Sequence, residues 1–265
     1  SSGSILYSTY IGSTNYDQAY FVESDRFNNL YAFGQTSNPN FPIINSSIAD
    51  TGACQFIMKM DSTLSTAQFS HTFGNGNNAG RINISPTAFL VDRCLNIYTS
   101  GWGGSIQTGE GAKTLFANMP LTSNAEQSTT DANDFYFYVV NRDLDSLVYA
   151  SFLGGNNSND HVDGGTSRFS KNGIIYQSIC ASCFTGSDFP TSSNAAFPQK
   201  PATFICNNAL YKYDFEIIPV ASFFADTLAF CLAAGDTVAV TIEDRSKRAN
   251  DIIWDFYGTP VQGGF

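Results

Sequence analysis

Positive charge and histidine are scarce in this sequence. Of its 265 residues only 13 are Lys or Arg, against 23 Asp and Glu, and the formal net charge is −10. Because a protein that holds a nucleic-acid backbone needs clustered positive charge, the composition excludes nucleic acid as a partner. The two histidines leave few candidates for a general base, and the sequence contains neither a Gly-x-Ser-x-Gly nor a His-Glu-x-x-His motif. We therefore expect no catalytic residues and predict that the chain is not an enzyme.

Long hydrophobic runs are missing as well. No window approaches the roughly 20 consecutive apolar residues of a membrane-spanning helix, so we expect no membrane insertion. The first four residues, Ser-Ser-Gly-Ser, lack the charged and apolar regions of a secretory signal peptide. We expect the chain to be either a mature protein or a part of a longer one.

A complete set of zinc-binding cysteines is also absent. Cys180 and Cys183 have the spacing of half a zinc knuckle, but no second pair supplies the other two ligands. The six cysteines are an even number that suits disulfides in an oxidising compartment. The candidates for disulfides are Cys180, Cys183, Cys206 and Cys94. We favour a bond from either Cys180 or Cys183 to Cys206, because these cysteines flank the third of the repeats described next.

The sequence is rich in aromatic residues and in internal repetition. It has 23 Phe, 13 Tyr and 22 Gly, with only 14% charged residues, a balance that favours strands and turns. Four short pieces recur three times in the same order. Their copies are residues 7–12, 69–74 and 149–154; 25–31, 92–98 and 170–176; 40–42, 118–120 and 188–190; and 56–61, 137–142 and 210–214. A fixed order of recurring pieces indicates a repeated supersecondary unit.

Each repeat predicts about four short antiparallel strands. The second piece has a polar centre, such as Asn28-Asn29, that suits a tight turn between two strands. Four strands per repeat is the plan of a β-propeller blade. We therefore predict an all-β chain in which residues 1–215 form three propeller-like blades, with repeats of about 4–63, 64–143 and 144–215. Because propellers typically close with about four to eight blades, these three are a part of a propeller or an open array.

The pattern changes after residue 215. Three strand-like runs follow, at 217–223, 236–242 and 251–256, and the last one contains Trp254. This order is typical of the opening of an immunoglobulin-like β-sandwich, whose third strand commonly carries a core tryptophan. A complete sandwich needs roughly 100 residues, so residues 216–265 are predicted to be the start of such a domain.

Several long stretches resemble a known group of proteins. These stretches are residues 7–12 (YSTYIG), 91–104 (VDRCLNIYTSGWGG), 161–169, 173–183 and 206–214. They resemble the gliding-motility-associated and PKD-domain-containing exported proteins of Bacteroidetes, which carry SBBP-type β-propeller repeats. From residue 216 the chain is similar to a PKD domain entered through residues 221–223, but after Trp254-Asp255-Phe256 it departs from the Gly-Asp-Gly that the family usually has.

The resemblance implies a role at the outside of the cell. It implies type IX secretion, an extracellular or cell-surface location, and a structural or adhesive module that serves adhesion, gliding or a surface appendage. The implied partners are other surface-protein subunits or further domains of the same chain, in an oligomeric assembly. It implies no catalytic residues.

A second function remains open from the sequence. PKD and propeller modules also accompany the catalytic domains of secreted polysaccharide-degrading enzymes, so the chain is alternatively a glycan-binding accessory region. Trp102 and the aromatic run Phe135–Tyr138 are candidates for a sugar-stacking or protein-docking surface, since aromatic faces give a large contact area. Packing in the core is the competing interpretation for the same side chains.

Two kinds of modification or ligand site are predicted from short patterns. Asp160 with Asp163, and Asp131 with Asp134, offer the oxygen ligands that calcium accepts, although solvated turns explain them equally. No other cofactor is implied. Asp followed by Ser or Thr is an O-glycosylation signal of exported proteins in this phylum, with ordinary turn chemistry as the alternative. Its candidates are Ser62, Ser146, Thr227 and Thr237.

Overall fold

The computed structural model is all-β in the residues it describes, which are 3–76, 80–104, 116–162, 167–201, 204–217, 223–225, 241–244, 253–256 and 259–262. The chain divides into two compact units, Ser1–Tyr213 and Asp214–Phe265. Three antiparallel four-stranded sheets make up most of the described structure, which confirms the predicted all-β class. Among the described residues, no helix has the length and apolar character to cross a membrane.

The first two sheets have the same meander topology. Sheet 1 consists of β1 (Asp17–Ser24), β2 (Leu30–Thr36), β3 (Gln55–Met60) and β4 (Ala67–Phe73), which pair in chain order. Sheet 2 consists of β5 (Ser85–Val91), β6 (Ile97–Trp102), β7 (Phe135–Val140) and β8 (Leu147–Leu153), again in chain order. Each sheet is therefore built from neighbouring strands joined by hairpins and one long β2–β3 or β6–β7 loop.

Sheet 3 departs from this plan at both edges. It contains β9 (Asn159–His161), β10 (Ser167–Phe169), β11 (Ile174–Cys183) and β12 (Asn207–Asp214). The short strands β9 and β10 pair with different parts of β11, Cys180 opposite His161 and Gln177 opposite Ser167. They take the place of the single first strand of the other sheets. Among the described residues no strand pairs with the outer edge of β12, the position that β4 and β8 occupy in the other two sheets.

The second piece of each repeat forms a hairpin turn, as predicted. In sheet 1 the Asp25 carboxylate accepts hydrogen bonds from the backbone N–H groups of Phe27 (2.9 Å) and Asn29 (3.0 Å) and from the Tyr31 hydroxyl (3.2 Å). Asp92 binds Asn96 and Tyr98 in the same way in sheet 2. The equivalent residues Asn28, Leu95 and Gly173 all have a positive φ, between 61° and 74°. The conserved turn geometry explains why the pieces recur at the same places in the chain.

The fourth piece is offset by one residue from its predicted alignment. Val140 lies opposite Leu147 as Met60 lies opposite Ala67, so Asn141 is the structural equivalent of Asp61. The match of residues 137–142 to 56–61 was therefore wrong, and residues 136–141 correspond to 56–61. Because every side chain of β7 is buried, alternation between the two faces carries no signal of register in this strand.

The three sheets pack face to face. Between sheets 1 and 2, the Phe73 and Tyr138 rings stack with centroids 4.1 Å apart. Between sheets 2 and 3, Phe137 packs on Tyr213 at 4.9 Å. The first strands also touch in succession, β1 with β5 and β5 with β10. Burial of one aromatic side chain stabilises a fold by roughly 1.5–3 kcal/mol, so these interfaces supply much of the core.

This stacking removes one of the predicted binding surfaces. Phe135, Tyr136, Phe137 and Tyr138 are all buried, because sheet 2 is covered on both of its faces. The hypothesis that these residues form a sugar-stacking patch is therefore wrong. Trp102 is half-buried and its ring lies 5.5 Å from the ring of His161.

The second unit has two antiparallel strand pairs in its described residues. β13 (Phe223–Ala225) pairs with β14 (Ile242–Asp244), and β15 (Ile253–Phe256) pairs with β16 (Thr259–Gln262). Phe256 lies opposite Thr259, so two residues connect β15 to β16. The hairpin forms although the chain lacks the Gly-Asp-Gly of the family that it resembles.

We predict that Phe73→Ala lowers the free energy of unfolding by about 3–5 kcal/mol, the usual cost of truncating a buried phenylalanine. Phe73 is 0% exposed and stacks on Tyr138 across the sheet 1–sheet 2 interface. Urea titration followed by near-UV circular dichroism measures the change. The control is Phe197→Ala at a side chain that is 87% exposed, where we expect less than about 0.5 kcal/mol. Equal losses in both variants would show that the interface does not stabilise the unit.

Candidate functional site

A cluster of acidic residues lies where sheets 2 and 3 meet. Asp134 directly precedes β7, Asp160 lies in β9, and Asp188 lies in the loop between β11 and β12. Asp134 and Asp160 are 0% and 1% exposed. Three of the four predicted calcium candidates, Asp131, Asp134 and Asp160, act electrostatically on one another here. Asp163 lies outside the described residues.

The carboxylates of Asp134, Asp160 and Asp188 differ in the hydrogen bonds that they accept from the protein. Asp160 accepts hydrogen bonds from the backbone N–H groups of Gly155 and Ser182, each at 2.7 Å. For Asp134, Oδ2 accepts hydrogen bonds from the Thr130 hydroxyl and from Gln127, whereas Oδ1 is buried without a partner. Asp188 likewise leaves Oδ1 buried and without a partner. Two carboxylate oxygens in the cluster therefore lack any donor within the described chain.

Two consecutive glycines make room for the cluster. A Cβ atom on Gly154 would collide with Oδ1 of Asp134, and one on Gly155 would lie 2.6 Å from Oδ1 of Asp188. Gly154 is the last residue of the aromatic-led first piece of the third repeat. The repeat pattern in the sequence identified this glycine. The pattern did not show that a carboxylate approaches the glycine closely.

The environment of the cluster favours its protonated form. Burial raises the pKa of Asp134 to about 8, with the Thr130 hydroxyl opposing and the charges of Asp131, Asp160 and Asp188 adding to the rise. Burial also raises the pKa of Asp160 to about 6, opposed by the amides of Gly155 and Ser182. A buried carboxylate in such a site keeps its proton unless a positive charge replaces it. The cluster can therefore hold protons or a hard cation, and calcium binding stays a prediction.

The raised pKa of Asp134 predicts a pH-dependent stability. Its unfolded pKa is about 3.9, so between about pH 4 and its folded pKa of about 8 the folded state binds more protons than the unfolded state. This contribution is complete below pH 4 and is lost as the pH rises through 8. Between pH 5 and pH 7, ionisation of Asp134 should lower the free energy of unfolding by about 1 kcal/mol or more. Asp134→Asn cannot ionise, so we expect this variant to lack that decrease.

Urea unfolding of both proteins at several pH values in metal-free buffer tests this. The difference between the two curves isolates Asp134 from the other titrating groups. Parallel curves would show that Asp134 is ionised in the folded protein throughout this range.

The structure assigns one of the predicted disulfide pairings. Cys183 and Cys206 are bonded, with the Cα atoms 4.1 Å apart, and the bond joins the end of β11 to the start of β12. Cys180 lies opposite His161 in the β9–β11 ladder, and Cys94 is exposed. Burial raises the pKa of the Cys54 thiol to about 11. Of the described residues, His161 with the two bonded sulfurs is the group close enough to hold a metal, but oxidised sulfurs are not thiolate ligands.

We expect non-reducing peptide mapping to recover Cys183 linked to Cys206. Under native conditions, iodoacetamide should modify Cys94 rapidly and Cys54 slowly, because only an exposed thiolate reacts readily. Mass spectrometry of the digest measures both results, with the denatured protein as the control for full reactivity. A peptide that links Cys180 to Cys206 would contradict the assignment.

The remaining predicted sites are placed as follows. Ser62 and Ser146 are exposed, in the turns β3–β4 and β7–β8. Thr227 and Thr237 lie outside the described residues. His71 is fully buried, where burial lowers its pKa to about 4, and its two ring nitrogens lie 2.9 Å from the hydroxyls of Ser46 and Tyr138. This histidine links sheet 1 to sheet 2, and its burial removes it from contact with a substrate.

An open groove runs along β12. It has a volume of about 1270 Å³ and lies between the strand residues Asn207–Tyr213 and the loop residues 187–201. Phe189, Pro190 and Pro198 line its loop side. Among the described residues β12 pairs only with β11, so its other edge carries backbone groups that an added strand could bind.

The equivalent space is filled in the other two sheets. In sheet 1, Ser70 of β4 exchanges backbone hydrogen bonds with Ile44 of the β2–β3 loop, at 2.9 and 3.0 Å. In sheet 2, Phe152 of β8 donates to the carbonyl of Gln127 in the β6–β7 loop at 3.1 Å. A fourth strand thus lies between the third strand and the long loop in each sheet. The groove in sheet 3 is the corresponding position without its strand.

No protein-family model matches the chain, and no curated protein matches it.

Proposed function

We propose that the chain is an extracellular structural and adhesive module of a larger cell-surface protein, in which the three sheets are consecutive blades of a β-propeller. The observation that carries the proposal is the succession of contacts between first strands, β1 with β5 and β5 with β10. In a propeller, blades repeat around a central axis, so their first strands follow one another in this manner. The two strand pairs in residues 214–265 support the proposal that a PKD-like sandwich begins after the blades.

The distribution of strands between repeats supports the same proposal. The first piece of the second and third repeats is the last strand of the preceding sheet: β4 includes residues 69–73 and β8 includes residues 149–153. The chain thus passes from the outer edge of one sheet to the first strand of the next. Each sheet is tied to its neighbour by the chain as well as by packing.

A structural role agrees with the chemistry of the polar groups. His71 and His161 are both buried, and the acidic cluster lies at a junction between sheets. A protonated or cation-bound cluster there stabilises the junction of sheets 2 and 3 rather than facing a reactant. The net charge of −10 favours solubility at the cell exterior. Export by the type IX system is part of this proposal.

The location and the adhesive role are tested in the cell that produces the protein. We expect antibodies to label intact cells and proteinase K to digest the protein before lysis. Cells that lack the gene should lose attachment or gliding, and the wild-type gene should restore it. The Phe73→Ala gene is the matched control, which should fail to restore it because the stack is destabilised. Protection from the protease until lysis would contradict the surface location.

The groove favours glycan binding as a second candidate function. Phe189 and Phe197 line it, and Phe197 is 87% exposed, which gives aromatic faces for sugar rings. Calorimetry of the purified chain with a panel of polysaccharides measures this. Binding that Phe189→Ala abolishes would support the accessory role, whereas the adhesive proposal predicts no such binding.

A further inference from the structure

The segment of residues 4–12 has the sequence of a fourth strand but lies outside every described sheet. By the order of the repeats, Tyr7 is equivalent to Phe69 of β4 and to Tyr149 of β8. Those two rings are 7% and 5% exposed, whereas Tyr7 is 57% exposed. Ile5 and Leu6 are 85% and 82% exposed. Tyr7 is therefore exposed although its equivalents are buried in a sheet, and Ile5 and Leu6 are exposed beside it.

Sheet 3 has an unfilled position of matching kind. The groove along β12 is the space that β4 and β8 occupy in sheets 1 and 2, and one wall of it is the edge of β12. The edges of strands pair readily with an added strand, which is a common mode of protein recognition. A free fourth strand and a sheet without one thus occur in the same chain.

The outer face of sheet 3 is also uncovered at positions that are covered in the other sheets. Tyr31 and Tyr98 are 1% and 0% exposed because each faces the next sheet, whereas the equivalent Tyr176 is 42% exposed. Ile57 and Phe137 are both 0% exposed, whereas the equivalent Leu210 is 81% exposed. The list of these equivalents is Tyr31, Tyr98 and Tyr176 in one set and Ile57, Phe137 and Leu210 in the other. In sheets 1 and 2 these positions lie on the face that packs on the next sheet, which we call the forward face. Sheet 3 has the same forward face, and it is exposed.

The opposite face of each sheet, which we call the rear face, packs on the preceding sheet in sheets 2 and 3. In sheet 1 the rear face is exposed. Phe89 of sheet 2 packs on Phe33 of sheet 1 and is 6% exposed, whereas its equivalent in sheet 1, Val22, is 63% exposed. Ile11, at the end of the segment 4–12, packs on a cluster that includes Met58. Ile11 is the equivalent of Phe73, which stacks on Tyr138, and Tyr138 is the equivalent of Met58. The end of the segment is therefore placed against sheet 1 as the end of β4 is placed against sheet 2.

We infer that a second copy of this chain docks head to tail. The rear face of sheet 1 in one copy packs on the forward face of sheet 3 in the other, and residues 4–12 enter the groove as the fourth strand of that sheet. The established interfaces between sheets 1 and 2 and between sheets 2 and 3 continue through this contact. By the β3–β4 register, in which Lys59 lies opposite Phe69, Tyr7 then lies opposite Lys212.

The arrangement closes when each copy uses both faces. Head-to-tail contacts generate a ring when the rotation closes, and otherwise a filament. With three sheets per chain, a ring of two copies contains six sheets, within the range of about four to eight blades in propellers. The inference deepens the proposed function by naming the partner, and it rests on the repeated stacking proposed there for the blades.

Light scattering after size exclusion tests the inference on the purified chain, loaded from about 1 µM to about 100 µM. We expect twice the mass of 28.7 kDa. Leu210→Asp and Val22→Asp should each give a monomer, because each places a charge in one half of the interface. Phe27→Asp is the control, since this side chain is 57% exposed in the β1–β2 turn and should leave the dimer intact. Circular dichroism verifies that the variants are folded.

Mixing the two variants distinguishes head-to-tail docking from other modes. The Leu210→Asp chain retains its rear face and the Val22→Asp chain retains its forward face, so an equimolar mixture should form a heterodimer. A symmetric contact through Leu210 alone would instead leave Val22→Asp dimeric. In a paired strand, only one of two neighbouring N–H groups points toward the partner strand. Replacing both Ser8 and Thr9 by proline therefore removes one hydrogen bond to β12 and should weaken the dimer at least about tenfold.

A wild-type chain that stays monomeric over this range would overturn the inference, as would a dimer that neither charge substitution affects. Neither result bears on the surface location, which the protease experiment tests separately. If the protein is absent from the cell surface but still forms the dimer, the proposed function is contradicted and the inferred interface is not.

Discussion

The structure depends on the face-to-face packing of aromatic-rich sheets. Sheet 2 has no solvent-facing side: Phe135 and Phe137 pack on sheet 3, and Tyr136 and Tyr138 contribute to the core shared with sheet 1. A sheet of this composition is not stable alone in water, because its apolar residues lie on both faces. Each sheet is therefore stabilised mainly by its neighbours, in the manner of a repeat protein. The consequence is that the first and last sheets need covering.

The polar features follow from the same packing. Stacked sheets bury the residues at their ends, and Asp134 and Asp160 are enclosed where sheet 3 meets sheet 2. His71 is enclosed between sheets 1 and 2, where it bonds to the Tyr138 hydroxyl. These groups join sheets to each other, and burial explains their altered pKa values. The disulfide Cys183–Cys206 ties β11 to β12 in sheet 3, where no described strand pairs with the outer edge of β12.

Much of the fold was predictable from local chemistry. Asp25 and Asp92 start hairpin turns whose geometry depends on residues within six positions, so the recurring pieces revealed them. The register of β7 was not predictable, because a strand buried on both faces shows no alternation. The contribution of β4 and β8 to the sheet before each repeat boundary was also hidden, since adjacency in sequence does not state which sheet a strand joins.

The candidate site was predictable only in part. Asp131, Asp134 and Asp160 were identified from their oxygen-rich surroundings, but Asp188, from the third piece of the last repeat, was missed. Its signal was the Asp188-Phe189-Pro190 copy, in which Asp replaces the Asn of the other two copies. The groove could not be predicted, because it results from the absence, among the described residues, of a strand beside β12 and not from any residue pattern.

Hydrogen–deuterium exchange of the β12 amides, Asn207–Asp214, tests most directly the claim that the stack is completed by another sheet. The amides of β3 and β7, which pair on both sides, should exchange slowly at every protein concentration. The account predicts that the β12 amides pointing away from β11 exchange rapidly in dilute protein and become protected as the concentration rises. Rapid exchange of these amides at all concentrations would contradict it, because the last sheet would then be stable without an added strand.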